Sequence, residues 1–284
     1  MRVIRADVLG MCFGVRDALA VLDRIEQPGE VTILGELVHN EAVLVQLGRR
    51  GFPMVKEAER EALPTTPAVL ITAHGVSDRE RRRLEGAGKR LIDTTCPLVV
   101  RVHRAAQELR REGYHVLLIG RRGHVEVRGV VEDLDSVEVI ERPDEVVRYP
   151  HDRLGIICQT TATERNVRAI CEAVVRLNPQ AEVRFIDTVC RPTKEHQRAL
   201  EELIGQVDAM VVIGGRNSNN TRELVARCRE RGRPALHIQG AADLDPSWFA
   251  GVEVVGLTAG TSTLAETIDE VHQALLDMAS EPLG

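Results

Sequence analysis

Ile92-Asp93-Thr94-Thr95-Cys96-Pro97 returns almost unchanged as Ile186-Asp187-Thr188-Val189-Cys190, with Pro192 two positions further on. The spacing beyond the cysteines repeats as well. An apolar run closes on Ile119-Gly120, 24 positions past Cys96, and on Ile213-Gly214, 24 positions past Cys190. Cys12 precedes Leu34-Gly35 by nearly the same interval. Four residues after each of these glycines stands a polar side chain: His39, His124 and Ser218. A further set of stations follows at the ends of apolar runs: Thr72-Ala73-His74, Gln159-Thr160-Thr161, and Thr258-Ala259-Gly260-Thr261-Ser262. A repeat of roughly 85–95 residues favours three small units, each too small to be very stable by itself. One central site is expected, with thiolates at one end and a polar pocket at the other.

Strand and helix patterns alternate along the whole chain. The apolar runs 68–72, 115–119, 154–157, 210–213 and 252–257 predict buried strands. Between them, Val99, Val102, Ala105, Ala106 and Leu109 recur at helical spacing, as do Val167, Ile170, Cys171, Val174 and Val175. The segments 218–231 and 264–278 have the same character. Alternating strands and helices rich in Val and Ile predict an α/β protein of parallel sheets. The expectation is three similar small parallel-sheet lobes in pseudo-threefold arrangement, over residues 1–95, 96–189 and 190–284. In such sheets ligands bind beyond the carboxyl ends of the strands, and every repeated polar station lies at one.

Composition narrows the functional classes. With aromatic residues at 2%, base stacking has few platforms, which argues against single-stranded nucleic-acid binding. The net charge of −6 and the lack of a long basic stripe point the same way. Arg79, Arg81, Arg82 and Arg83, and the helix with Arg101, Arg104, Arg110 and Arg111, read as solvated surface; docking of an acidic electron carrier or of nucleic acid is the alternative. No run of 18 apolar residues is present, and Met1 to Asp7 read as a charged strand rather than a leader, so a cytoplasmic location is expected. Six cysteines in a reducing compartment are core residues, catalytic groups or metal ligands rather than a disulfide framework. Cys158, Cys171 and, less clearly, Cys228 fit the core. Cys12, Cys96 and Cys190 each follow a strand and precede a helix, a place suited to metal binding. They could hold zinc with a fourth group, or an iron–sulfur cluster with one iron left open.

His39, His74 and His124 recur at matched strand ends. Glu126 follows His124 by two residues, so in an extended loop both would point the same way, and it is the candidate general acid. The runs 216–221 and 258–263 are rich in neutral donors and lead into helices, which suits a phosphate. Taken alone, each hydroxyl there could be a helix cap.

Together these residues resemble the 4-hydroxy-3-methylbut-2-enyl diphosphate reductase family of the non-mevalonate isoprenoid pathway. The resemblance rests on GMCFGVRDAL (10–19), GELVHN (35–40), TAHGVS (72–77), DTTCPLV (93–99), GHVEVRG (123–129), CQTT (158–161), DTVCRPT (187–193), GGRNSNN (214–220) and TAGTST (258–263). It implies a trefoil of three α/β lobes around a 4Fe-4S cluster held by Cys12, Cys96 and Cys190, with one open iron. It implies substrate binding by His39, His74, His124, Thr160, Ser218, Asn219, Asn220 and Ser262, and proton supply from Glu126. Electrons would come from a ferredoxin or flavodoxin. Val125, Pro192, His196, Asn219, Leu264 and Glu266 depart from the family pattern. Val125, where Pro is usual, is expected to loosen the loop bearing Glu126. These departures keep a paralogue acting on another allylic or anionic substrate as the alternative. A non-catalytic cluster-binding protein is a third reading, disfavoured by the intact donor set.

Overall fold

A computed structural model describes residues Met1–Ser280. Its strands fall into three four-stranded sheets in which every pairing is parallel. The first sheet contains β2 (Val31–Leu34), β3 (Met54–Val55), β4 (Ala68–Ile71) and β5 (Arg90–Asp93), in the order β3-β2-β4-β5. The second contains β6 (His115–Ile119), β7 (Val137–Ile140), β8 (Arg153–Cys158) and β9 (Glu182–Phe185), in the order β7-β6-β8-β9. The third is β11 (Ala235–Ile238), β10 (Ala209–Ile213), β12 (Val254–Ala259) and β1 (Arg2–Arg5), in that spatial order. The three orders are the same topology, with the last strand of the third sheet supplied by the start of the chain.

The helices are α1 (Phe13–Asp23), α2 (Glu41–Arg49), α3 (Asp78–Gly86), α4 (Pro97–Arg111), α5 (Val125–Val131), α6 (Glu164–Leu177), α7 (Arg191–Ile204), α8 (Asn219–Glu230) and α9 (Ala265–Ser280). They are needed because the central strands are apolar on both faces. In β6, Val116 and Leu118 pack with Val102 and Leu109 of α4, whereas Leu117 and Ile119 pack with Ile170 and Val174 of α6. In the third sheet, Met210 and Val212 face Leu200, Leu203 and Leu224, while Val211 and Ile213 face Val271 and Leu275. The buried stripe of α4 is the one expected from the sequence. In α6 the stripe is narrower than expected, because Val175 is exposed.

The chain divides into two compact units. One comprises Met1–Arg16, Val38–Gln46 and the chain from Arg191 onward, and it carries the third sheet. The other comprises Asp17–Leu37 and Leu47–Cys190, and it carries the first and second sheets. Hydrogen bonding thus groups residues differently from chain-order thirds. β1 pairs with β12, Arg2 opposite Val254, so the strand leading to Cys12 belongs to the C-terminal sheet. Likewise β5 leads to Cys96 and β9 to Cys190, so each cysteine follows the edge strand that completes a sheet.

Candidate functional site

The repeated Asp-Thr-x-Cys stretch has a local structural reason for each residue. Asp93 Oδ1 accepts from the Thr95 N–H at 2.9 Å, and Asp187 Oδ1 accepts from the Val189 N–H at 3.1 Å, two tight Asx turns. The hydroxyl of Thr94 donates to the Ile71 carbonyl at 2.6 Å, and that of Thr188 to the Cys158 carbonyl at 2.6 Å. Each threonine therefore latches the turn onto the neighbouring central strand. The cysteine N–H then donates to the loop beyond that strand: Cys96 to Ala73 O at 3.0 Å, and Cys190 to Thr160 O at 2.9 Å. Cys12 makes the equivalent bond to Thr261 O at 3.0 Å. Every cysteine is thus docked beside a residue of the third set of stations, namely His74, Thr160 or Ser262.

Cys12, Cys96 and Cys190 are partly exposed and stand immediately before α1, α4 and α7. The other three differ. Cys158 and Cys228 are fully buried. Burial pushes the Cys171 thiol up to about 11 and the Cys228 thiol up to about 12, so both remain neutral core groups. Three partly exposed cysteines at matched positions carry the soft donor chemistry that a thiolate-bound metal group would need. Among the described residues no three His, Cys, Asp or Glu side chains already stand together as a metal-ligating group.

In the unit with the first two sheets, Glu126 and Thr160 meet closely. The Thr160 N–H donates to Glu126 Oε1 at 2.7 Å, and the Thr160 hydroxyl donates to Oε2 at 2.8 Å. Both residues are buried, Glu126 to 2% exposure. The extended loop expected around Glu126 is instead the first turn of α5. His124 caps that helix, its Nδ1 accepting from the Glu126 N–H at 3.2 Å. An accepting Nδ1 carries no proton, so the imidazole is the Nε2–H tautomer and presents a donor at its far side. Val125 is the first helical residue, where the ring of a proline would also be tolerated, and it is buried, so the substitution does not loosen the segment. The rings of His124 and His74 meet nearly edge to face, with centroids 5.7 Å apart.

In the other unit, Ser218 caps α8 by accepting from the Thr221 N–H at 3.3 Å, which leaves its O–H to donate elsewhere. Asn219 and Asn220 are the first two residues of α8. Asn220 is buried, and its Nδ2 has no partner among the described residues, a cost that a bound acceptor would relieve. The Ser262 hydroxyl rests on the His39 carbonyl at 3.3 Å. Gly215 also lies against that carbonyl, and a Cβ there would collide with it. His196, a departure from the family pattern, lies buried between the Pro192 carbonyl at 2.8 Å and the Gly10 carbonyl at 3.0 Å. Burial pushes its pKa below the ordinary imidazole range, against the raising effect of those two carbonyls. Glu266 is exposed in the first turn of α9, where an acid favours the helix.

Two residues had no assigned role in the sequence reading. Asn40, although inside a quoted motif, bonds to the backbone of Ser262. Gln159 is buried, accepts from the Arg121 N–H at 2.9 Å, and leaves its Nε2 without a partner among the described residues. Its place beside Thr160 was the available signal.

Comparison with known proteins covers nearly the whole chain. The family profile described as LytB protein matches residues 3–276. A 4-hydroxy-3-methylbut-2-enyl diphosphate reductase of Aquifex aeolicus is 34% identical over 99% of this chain and 98% of its own length. The protein of the same name from Dehalococcoides mccartyi is 36% identical over 95% of this chain and 96% of its own. Among solved structures, the E-1-hydroxy-2-methyl-but-2-enyl-4-diphosphate reductase of Plasmodium falciparum superposes with a TM-score of 0.89 at 25% identity, covering 99% of this chain and 89% of that one. A second, described as the terminal enzyme of the non-mevalonate pathway, gives 0.66 at 33% identity, covering 98% and 100%.

Proposed function

Because this chain belongs to the LytB family of 4-hydroxy-3-methylbut-2-enyl diphosphate reductases, we propose a division of that reaction among its own residues. The protein is an oxidoreductase acting on an allylic diphosphate. The substrate takes up two electrons and two protons, its allylic C–O bond breaks, and water leaves together with isopentenyl or dimethylallyl diphosphate. Cys12, Cys96 and Cys190 hold the metal group, a 4Fe-4S cluster with one iron free of protein sulfur. When bound, that group supplies electrons and a Lewis-acid position for the allylic hydroxyl.

The remaining work falls to the side chains. His124, through Nε2–H, joins His39, His74, Ser218, Asn219, Asn220 and Ser262 as donors to the diphosphate. These are imidazole, hydroxyl and amide donors, so the anion is anchored by many directed bonds, and remote binding energy can align the reacting end. Glu126 is the proton source. When protonated at Oε2 it donates to Thr160 Oγ1, and the threonine hydroxyl passes its own proton to the departing oxygen; the second proton, from Glu126 protonated again from solvent, reaches an allylic carbon by way of the bound diphosphate. A ferredoxin or flavodoxin is the electron donor.

The observation that carries this reading is the two-point bond between Glu126 and Thr160, buried where water does not compete. The test is Glu126→Gln in anaerobically reconstituted protein, assayed with reduced viologen. Iron content should equal that of the wild type, while kcat falls by about 10²–10⁴, the usual worth of a general acid. Turnover near the wild-type rate would remove Glu126 from the role.

A further inference from the structure

We infer that Asn40 is a positioning residue of the anion pocket, holding the Ser262 loop against the start of α2. The inference rests on the reading of His39 and Ser262 as diphosphate donors.

Asn40 is buried and uses both ends of its amide. Its Oδ1 accepts from the N–H groups of Ala42 at 3.0 Å and Val43 at 3.3 Å, which caps α2. Its Nδ2 donates to the Ser262 carbonyl at 2.7 Å, across 222 positions of sequence. Asp, Ser or Thr would cap the helix equally well, but none can accept from two helical N–H groups and also donate to a carbonyl through a planar amide. The tie to Ser262 is therefore the feature that selects asparagine.

The flanking residues complete a clasp. The His39 carbonyl receives the Ser262 hydroxyl at 3.3 Å and is closely approached by Gly215. Glu41 Oε1 accepts from the Arg216 N–H at 3.3 Å. Residues 39–41 thus join the two donor-rich loops, that before α8 and that before α9. The tie from Asn40 is the shortest of these bonds, and it holds backbone. To donate to a phosphate oxygen, Ser262 must release the long bond to His39. Its hydroxyl can then turn while the Asn40 bond keeps its backbone in place.

The test is Asn40→Ser, Ser262→Ala and the double variant, each reconstituted anaerobically and titrated calorimetrically with inorganic diphosphate, with Tm recorded. Serine keeps a helix cap and adds no charge. Asn40→Ser should weaken diphosphate binding about ten-fold, as expected for loss of a buried hydrogen bond. Ser262→Ala should add little once Asn40 is gone, because both changes disable the same loop. Unchanged affinity in Asn40→Ser would overturn the inference, as would full additivity in the double variant. If Asn40→Ser does not fold, Asn40→Asp, which keeps the stronger cap, replaces it; its affinity in 0.5 M salt, where added charge is largely screened, is read by the same criteria. Absence of diphosphate binding by the wild type would instead remove the pocket reading itself, and this inference with it.

Discussion

Thr160 is bound to Glu126 twice, and its two bonds have different chemical status. The N–H···Oε1 bond is structural, because any residue but proline could make it. The hydroxyl bond to Oε2 is the one through which a proton can pass. Replacing Thr160 by Ser keeps the hydroxyl and should leave kcat within a few-fold of wild type, whereas Thr160→Val should lower it about a hundred-fold. Steady-state assays of the two variants at matched iron content check this; equal rates would mean that the hydroxyl carries no proton. At this scale the sequence was legible where a residue acts on its near neighbours. Asp93 and Asp187, two residues from the N–H groups they bind, belong to a repeat visible by inspection. Asn40 was not legible, because the bond that distinguishes it from any other cap lies 222 positions away.

The least legible element is α5, and the reason is its composition. Val125, Glu126, Val127, Arg128, Gly129, Val130 and Val131 are mostly β-branched or glycine, a poor helix by propensity. Burial of Val125, Val127 and Val130 and the His124 cap outweigh that preference. By contrast the apolar stripes read at 99–109 and 167–175 lie wholly within α4 and α6. α4 also carries a group whose effect can be measured. His103 lies near Asp133 and Asp78, which favour its charged form, and Arg81, which opposes it. Burial outweighs these and pushes its pKa below the ordinary value, and its Nε2 has no partner among the described residues. In the unfolded chain the group takes a proton near the ordinary value of about 6.5, whereas in the fold it stays neutral to lower pH. Its contribution to stability is therefore fully present above about pH 6.5 and is lost as pH falls through the depressed folded value. His196 and His115 shift in the same direction, chiefly through burial. Urea midpoints should fall between pH 7.5 and 5.5 in the wild type and fall less in His103→Gln. An identical slope in the variant would show that His103 is not a source of the dependence.

Over the whole molecule, the three sheets repeat one topology. The repeat was visible in the sequence because the polar stations recur at strand ends, whereas the affiliation of β1 was not. That strand is four residues long and pairs with β12, about 250 positions away. Within the arginine clusters, Arg81 pairs with Asp93, Arg83 with Glu80 and Arg110 with Asp135. Among the described residues no helix is long and apolar enough to cross a membrane. A thiolate-bound group that associates with the folded chain alone adds its binding free energy to stability. A contribution of only about 3 kcal/mol would raise Tm by roughly 5–10 °C in a chain of this size. Iron-loaded wild type should therefore melt higher than the same protein stripped by a chelator under anaerobic conditions. Cys96→Ser, unable to retain the group, should melt near the stripped value and be unmoved by chelator. Cys158→Ala should respond to chelator as the wild type does, since Cys158 is a buried strand residue and outside the proposed ligand set. Differential scanning calorimetry of the three proteins separates the two kinds of cysteine without reference to turnover. A chelator shift in Cys96→Ser as large as in the wild type would place the iron on other ligands.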